Sequence, residues 1–497
     1  MIKIKSEIIK KQPNFWNHCL FHPTDAIEDS WGKRILDRMA EDKSIQTIRI
    51  YTMFEDIVYR DMEGRLQYDF RVNDLRLDYL IEKGYDVLLA YAAMPDCIAL
   101  STNAKTANSF SGTRYKGKMF NTSPPKDYAL WEEVCYQYTK HLVERYGIKR
   151  VSKWHMQCFN EPDIPLFFMA DIPHHPAPER VQEYCKMYEA FEHGIRRVSE
   201  EIKIGGPALA LHIIPFMEPW LRYVKQKQLK LDFISFHNYG AEPGAIETGS
   251  ETLNVDNHMK IQKNYMKVID DCGFEDIPII VDEWGMMSLG FCNKSQMSSL
   301  LLRETEVFSA YFAKLIHAYI HSDYKIEKLL ICLSGQHEMT EDFTGFRNFF
   351  TLNYIAKPIY NCYVLASKLG ENLLDYYVDD ENISIVPTKD EFGNYAILLS
   401  YASETFEDSI PNLEQIVEFD ESVIGQKVTV WCIDKHTTNP YRLCQRMGKE
   451  EPDTEEDILT LREEGRLKPV YESILSKKDE IRLHLTPNCT FLITVEK

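Results

Sequence analysis

No run of about 18 uncharged apolar residues occurs anywhere in the chain, and a membrane-spanning helix needs one. The N-terminus, MIKIKSEIIKKQPNFW, alternates apolar with charged residues and lacks the continuous apolar stretch of a secretion signal, which points to a cytoplasmic protein. None of the twelve cysteines forms a CxxC pair or falls into a regular spacing. That argues against a structural zinc site and leaves Cys158, Cys332 and Cys432, each inside an apolar run, as buried free thiols acting as small hydrophobes. Neither GxGxxG nor GxxxxGK[ST] is present, so no phosphate cradle for a nucleotide is built in, and no cofactor is expected. Positive charge is in short supply. Lys and Arg number 57 against 76 Asp and Glu, a net of −19 that sets the surface against nucleic acid or an anionic membrane as partner.

What the chain does have is length and a repeating pattern. Its 497 residues, 44% of them hydrophobic, suit a barrel of roughly 250 to 350 residues plus an appendage. Eight short apolar runs follow one another: FWNHCLF near Phe15, TIRIYTMF near Arg49, DVLLAYAAMP near Leu88, WHMQCFNEP near Met156, IKIGGPALA near Ile204, LDFISFHNYG near Ile234, IPIIVDEWG near Ile280 and KLLICLSGQ near Ile331. They lack strict alternation, as parallel strands buried on both faces do. Between them lie charged segments of helical period, such as NDLRLDYLIEKG and YALWEEVCYQYTKHLVERYG, which end in the C-cap glycines Gly84 and Gly147. Eight strand–helix repeats predict a (β/α)8 barrel over residues 15–370. Beyond Gly370, NISIVPT, NYAILLSYAS, KVTVWCID, EIRLHLT and TFLITVEK read as strands of an antiparallel β-sandwich over 371–497, joined by an N-terminal strand from 1–14 and interrupted by the helical TEEDILTLREEGRL.

A barrel gathers its chemistry at the C-terminal ends of its strands. Glu161 ends the fourth run within Asn-Glu-Pro, where Pro162 stops the strand, and Glu283 ends the seventh run beside Trp284. Strands four and seven face each other across an eight-stranded barrel, so two carboxyl groups can converge over its centre. Glycoside cleavage needs that pairing around an anomeric carbon. His237 and Tyr239 leave the sixth run two residues apart and so share a face. Asp282 alternates with Glu283 and is expected to point the other way, into the wall or the helix layer. Trp284 is a candidate for the pocket lining, whereas His174 and His175 in DIPHHPAPE read as an exposed loop pair without a metal partner at ligand spacing.

These segments together resemble glycoside hydrolase family 39, the β-xylosidases and α-L-iduronidases. The likeness runs through FWNHCLF, IRIYTMFEDIVYR, NTSPPKDYALWEE, HLVERYGIKRVSKWHMQCFNEP, DFISFHNYG, DEWG and KPIYNCYVLASKLG, and continues in IDKHTTNPYRLCQRMGK of the sandwich. The resemblance implies a retaining exo-glycosidase, xylosidase-like, acting on a small oligosaccharide or glycoside and assembling as a homo-oligomer, a tetramer by analogy. It implies Glu161 as general acid/base and Glu283 as nucleophile, their carboxyls roughly 5 to 5.5 Å apart. Glu283 is expected to stay ionised through hydrogen-bond donors and a slightly wetter setting. Asn160 is expected to bond the sugar 2-hydroxyl, His237 to contact substrate, and Tyr239 to donate to Glu283.

The chain departs from the family pattern twice. Tyr51 stands where the xylosidases usually carry a histidine on strand two, and ICLSGQHEMTED replaces their Trp-containing segment on strand eight, with Gln336, His337 and Glu338 as substitutes. Arabinosides, galactosides and iduronides therefore stay open as substrates, the last with Arg347 in FTGFRNFF as the cation for a uronate. A catalytically silent sugar-binding barrel is the competing reading. An aldolase or a metal-dependent hydrolase would need a Schiff-base lysine or a His/Asp cluster at strand ends, and the runs show neither.

Overall fold

Eight parallel strands close on themselves in chain order in a computed structural model that describes residues 1–21, 30–107, 119–172, 177–242, 246, 251–289, 292–333, 339–420, 423–475 and 480–497. The barrel strands are His18–Phe21, Thr47–Tyr51, Asp86–Tyr91, His155–Cys158, Lys203–Leu209, Phe233–Asn238, Ile279–Trp284 and Ile326–Leu333. Each pairs in parallel with its neighbours, and the eighth returns to the first through Leu330–His18 and Cys332–Leu20. The first run yields a strand only from His18. Asn14 accepts from the amides of Trp16 and Asn17 at 3.2 Å, a side-chain turn that precedes the strand, while the Phe15 carbonyl already accepts from the Leu329 amide of strand eight at 2.7 Å.

Helices such as Arg71–Glu82, Tyr128–Tyr146 and Ala177–Arg196 cover the barrel. Gly84 and Gly147 sit at φ of +87° and +79°, so each helix ends where a side chain would be strained. A different glycine sets strand spacing. A Cβ on Gly205 would lie 2.2 Å from the Phe233 carbonyl oxygen, so strands five and six approach this closely only because the position is bare. Leu88, Phe233, Ile280 and Leu330 fill the lower interior and close it to water.

The C-terminal part is a nine-stranded, mostly antiparallel sheet. The N-terminal strand Ile2–Lys11 lies inside it, antiparallel to Asn372–Val378 and parallel to Leu413–Phe419. Ile2, Ile4, Leu374, Ile397, Val417 and Ile493 share one core, so the sheet folds over onto itself as a sandwich. Its other face, through Val386, Leu398 and Leu492, joins the barrel core. Ser400 donates to the Ala310 carbonyl at 3.0 Å across that junction. Strands Leu413–Phe419 and Pro469–Ile474 escape the sequence reading because the first is broken by charges and the second is an almost wholly exposed edge. Among the described residues, no helix is long and apolar enough to cross a membrane.

Candidate active site

The fourth strand ends in a turn that no ordinary strand residue adopts. Phe159 and Glu161 both have left-handed backbone angles, φ +61° and +47°, on either side of Asn160. Such angles cost a non-glycine residue about 1–3 kcal/mol and persist only where the surroundings hold them. Here the Glu161 amide donates to the Ala208 carbonyl of strand five at 3.0 Å, and the Glu161 carbonyl accepts from Ile164 at 3.2 Å. The turn lifts Glu161 over the barrel mouth.

The seventh strand supplies two carboxylates, not one. Phe236 pairs with Val281 but His237 pairs with Glu283, so one residue is inserted at Asp282. Asp282 consequently faces the interior, contrary to the alternation expected for it: Gln157 donates to it at 2.6 Å and Arg49 lies 3.1 Å away. Both adjacent acids converge on Arg49, which is fully buried on strand two. Its guanidinium donates to Glu283 at 2.7 Å, to Gln157 at 2.9 Å and to Asn160 Oδ1 at 2.6 Å. With Oδ1 so engaged, the Asn160 amide nitrogen is the donor available to a ligand in the cavity. Two phenols complete the shell, Tyr239 donating to Glu283 at 2.5 Å and Tyr51 at 3.3 Å.

His237 stands between the two glutamates. Its Nδ1 is 3.1 Å from Glu161, and its Nε2 is 3.6 Å from Glu283. Burial opposes its charge, but Glu283, Asp282 and Glu161 outweigh burial and push its pKa up to about 9. Burial likewise opposes ionisation of Glu283, yet His237, Arg49 and Arg347 with the Tyr239 hydroxyl hold it well below the usual carboxylate range. The wetter setting expected for Glu283 is therefore wrong. Its side chain is 6% exposed against 14% for Glu161, and cations rather than water keep it charged.

An oxygen of Glu161, an oxygen of Glu283 and a ring nitrogen of His237 lie within 4.8 Å of one another. This is below the roughly 6.5–9.5 Å that admits an inverting water and close to the spacing of a direct displacement. The same donors would suit a metal ion, but Arg49 already brings a positive charge to 2.7 Å from Glu283. The trio is built as two carboxyl groups around the His237 ring.

Tyr51, Asn160, Glu161, Tyr239, Glu283 and Arg347 line one cavity of about 310 Å³. Arg347 is nearly buried, stacked 5.0 Å over the Tyr239 ring and donating to the Ser288 carbonyl. Glu242 also lines the cavity, its carboxyl pushed up to about 7 by burial and then by Glu251. Trp284 does not belong there. Alternation turns it outward, where it stacks on Phe312 and donates to the Tyr363 hydroxyl in the helix layer. Gln336, His337, His174 and His175 lie outside the described residues. The sequence reading missed Arg49 and Gln157. Their signal was present, as strongly polar residues at interior positions of TIRIY and HMQC that need buried partners.

A carboxylate pair at the ends of strands four and seven of a closed barrel, one acid charged by an arginine and the other beside an imidazole, defines a glycoside hydrolase of the retaining kind. The chain belongs to glycosyl hydrolases family 39, whose family model matches residues 1–480. It is 24% identical over 451 residues to a β-xylosidase of Caldicellulosiruptor saccharolyticus, covering 87% of this chain and 85% of the relative. A β-xylosidase of Geobacillus stearothermophilus is 22% identical over 512 residues, with coverages of 97% and 94%. The crystal structure of a monomeric β-xylosidase from Caulobacter crescentus superposes with a TM-score of 0.83 at 18% identity, covering 100% of this chain and 99% of that one.

Two outcomes follow from the Arg49 cluster. Arg49→Met takes the guanidinium from two buried carboxylates, leaving His237 and neutral donors beside them, and is expected to cost about 3–5 kcal/mol of stability. It is also expected to lower kcat/KM by roughly 10²-fold or more through loss of the fixed charge. Urea unfolding and glycoside kinetics read the two effects, and a variant with wild-type values for both contradicts the assignment. His237 has a folded-state pKa of about 9, above its ordinary 6.5. The stability it contributes is complete below pH 6.5 and is lost as pH rises through about 9. Urea midpoints should show this loss between pH 6.5 and 9 in the wild type and not in His237→Gln, and parallel profiles would contradict it.

Proposed function

We propose that the protein is an exo-acting retaining glycosidase of the β-xylosidase kind, with Glu283 as nucleophile and Glu161 as acid/base. One observation carries the reading: carboxylate oxygens within 4.8 Å at the cavity floor, with Arg49 bonded to Glu283. Glu283 attacks the anomeric carbon while Glu161 gives its proton to the departing oxygen. The C–O bond breaks, and a glycosyl ester forms on Glu283. Glu161, now a carboxylate, takes a proton from water, which attacks the same carbon, and Glu283 leaves ionised. Tyr239 and Arg49 receive the negative charge returning to Glu283. Asn160 donates to the 2-hydroxyl as the anomeric centre gains positive character.

A xyloside is the leading substrate because two relatives matched over 87% and 97% of this chain are β-xylosidases. Arg347 supports a second reading, a uronide, since it brings a nearly buried cation into the cavity wall. The compartment proposed is the cytoplasm, supported by twelve cysteines that form no disulfide among the described residues, ten of them buried. A homo-oligomer is proposed through the sandwich, where the edge strand Pro469–Ile474 exposes Val470, Tyr471 and Ile474.

Nitrophenyl β-xyloside, α-L-arabinoside, β-galactoside, β-glucoside and α-L-iduronide test the reading. One of them should be turned over by the wild type and not by Glu283→Ala, and azide should restore turnover to Glu283→Gly with inverted product. Glu161→Ala should harm alkyl glycosides far more than nitrophenyl ones, because only poor leaving groups need the proton. Equal losses would remove Glu161 from the acid role.

A further inference from the structure

The side of the cavity beside Glu161 carries information about the leaving group, on the proposed reading that Glu161 protonates the departing oxygen. Two loops frame that side, the one running on from Glu161 and the one following strand five, tied together by the Asp163 carboxylate, which accepts from the Ala210 and Leu211 amides at 3.0 and 2.8 Å. Their cavity-lining side chains are Ile164, Phe167 and Leu211, with Met53 and Phe120 also on the wall. None offers a hydrogen-bond donor, and the weak Met53 thioether is the sole acceptor among these five side chains. Towards solvent the same two loops expose Leu166 at 38% and Ile213 at 68%, so the apolar character continues outward along the rim.

Polar side chains on this wall are already committed. Asn121 donates to Asp96 at 2.8 Å and to the Ser101 carbonyl at 3.0 Å, and its Oδ1 accepts from the Ser123 amide at 2.9 Å. Thr122 donates to the Ala104 carbonyl and accepts from the Ala170 amide, both at 3.1 Å. Among the described lining residues, the Thr106 and Ser288 hydroxyls, the Cys292 thiol and the Glu242 carboxyl are the exceptions away from the Glu161–Glu283 floor and Arg347. A second sugar seated here would bring several hydroxyls to a wall that pairs few of them, and each buried unpaired group costs about 1–3 kcal/mol. A ring of carbon has no such cost and gains by leaving water.

We propose that the leaving-group site of this enzyme is built for apolar, aromatic-ring aglycones, so that the substrate is a glycoside of a phenylalkanol-like alcohol and not a disaccharide. The polar floor around Glu283 takes the sugar, and the apolar loops take the aglycone. No new chemistry is required, since the bond broken and the proton donor are those of the proposed double displacement.

The test uses the sugar that the wild type prefers, carried as its methyl glycoside, its 2-phenylethyl glycoside and its 1,4-linked disaccharide. Methanol and 2-phenylethanol are alcohols of similar acidity, so the chemical step is matched and the difference reports binding of the aglycone. The 2-phenylethyl glycoside is expected to exceed the methyl glycoside in kcat/KM by roughly tenfold or more, as burial of a ring's worth of carbon predicts, and to exceed the disaccharide as well. In Leu211→Asn and in Phe167→Ser, each checked for folding by its urea midpoint, the 2-phenylethyl to methyl ratio should fall towards one. A disaccharide preferred over the 2-phenylethyl glycoside, or a ratio near one in the wild type, overturns the proposal; either comparison needs no variant. Turnover of the methyl glycoside without aglycone preference sinks this inference alone, whereas no turnover of any glycoside sinks the glycosidase reading and this one with it.

Discussion

A guanidinium with no exposure to water sits at the centre of this barrel. Burying an unpaired charge there would cost several kcal/mol, so Arg49 requires anionic partners inside the same wall. Strand seven supplies them through one inserted residue, which turns both Asp282 and Glu283 inward. The consequence for chemistry is direct. Glu283 stays charged although nearly buried, because cations and a phenol surround it. Asp282 takes part of the guanidinium and is itself bonded by Gln157, which fixes the direction from which Arg49 approaches Glu283.

The fold serves this cluster by departing from regularity where it must. The left-handed turn at Phe159 and Glu161 and the inserted residue at Asp282 lie on facing strands at one end of the barrel, the end where the cavity opens. Below them the interior is ordinary packing by Leu88, Phe233, Ile280 and Leu330. Strain at the rim is thus carried by a closed ladder and a filled core, and the sandwich encloses a second cluster while its other face packs with the helix Glu306–Ile320 in the barrel core.

The barrel was legible because each of its strands is an apolar run of the right length between charged helical segments, a pattern that depends on local burial alone. The strands Leu413–Phe419 and Pro469–Ile474 were not, since charges or exposure erase the alternation that marks a strand. The site divides along the same line. Glu161 and Glu283 stand at strand ends in distinctive contexts, and the likeness to family 39 gave them roles. Arg49 and Gln157 are interior polar residues whose partners are distant in sequence, so only the closed barrel brings them to Glu283. Asp282 turns inward because period-two alternation is a rule for unbroken strands and fails across the inserted residue, whereas Trp284 just beyond it obeys the rule and turns outward into the helix layer.

The central claim is that Glu283, and not its neighbour Asp282, carries the sugar during the reaction. A 2-deoxy-2-fluoro glycosyl fluoride of the preferred sugar loses the 2-hydroxyl contact, slows the second displacement and traps whichever carboxylate attacked. Peptide mass spectrometry of the inactivated protein then locates the ester. The account predicts one sugar per chain, attached at Glu283. An adduct on Asp282 or Glu161, or sustained fluoride release without any adduct, would contradict it.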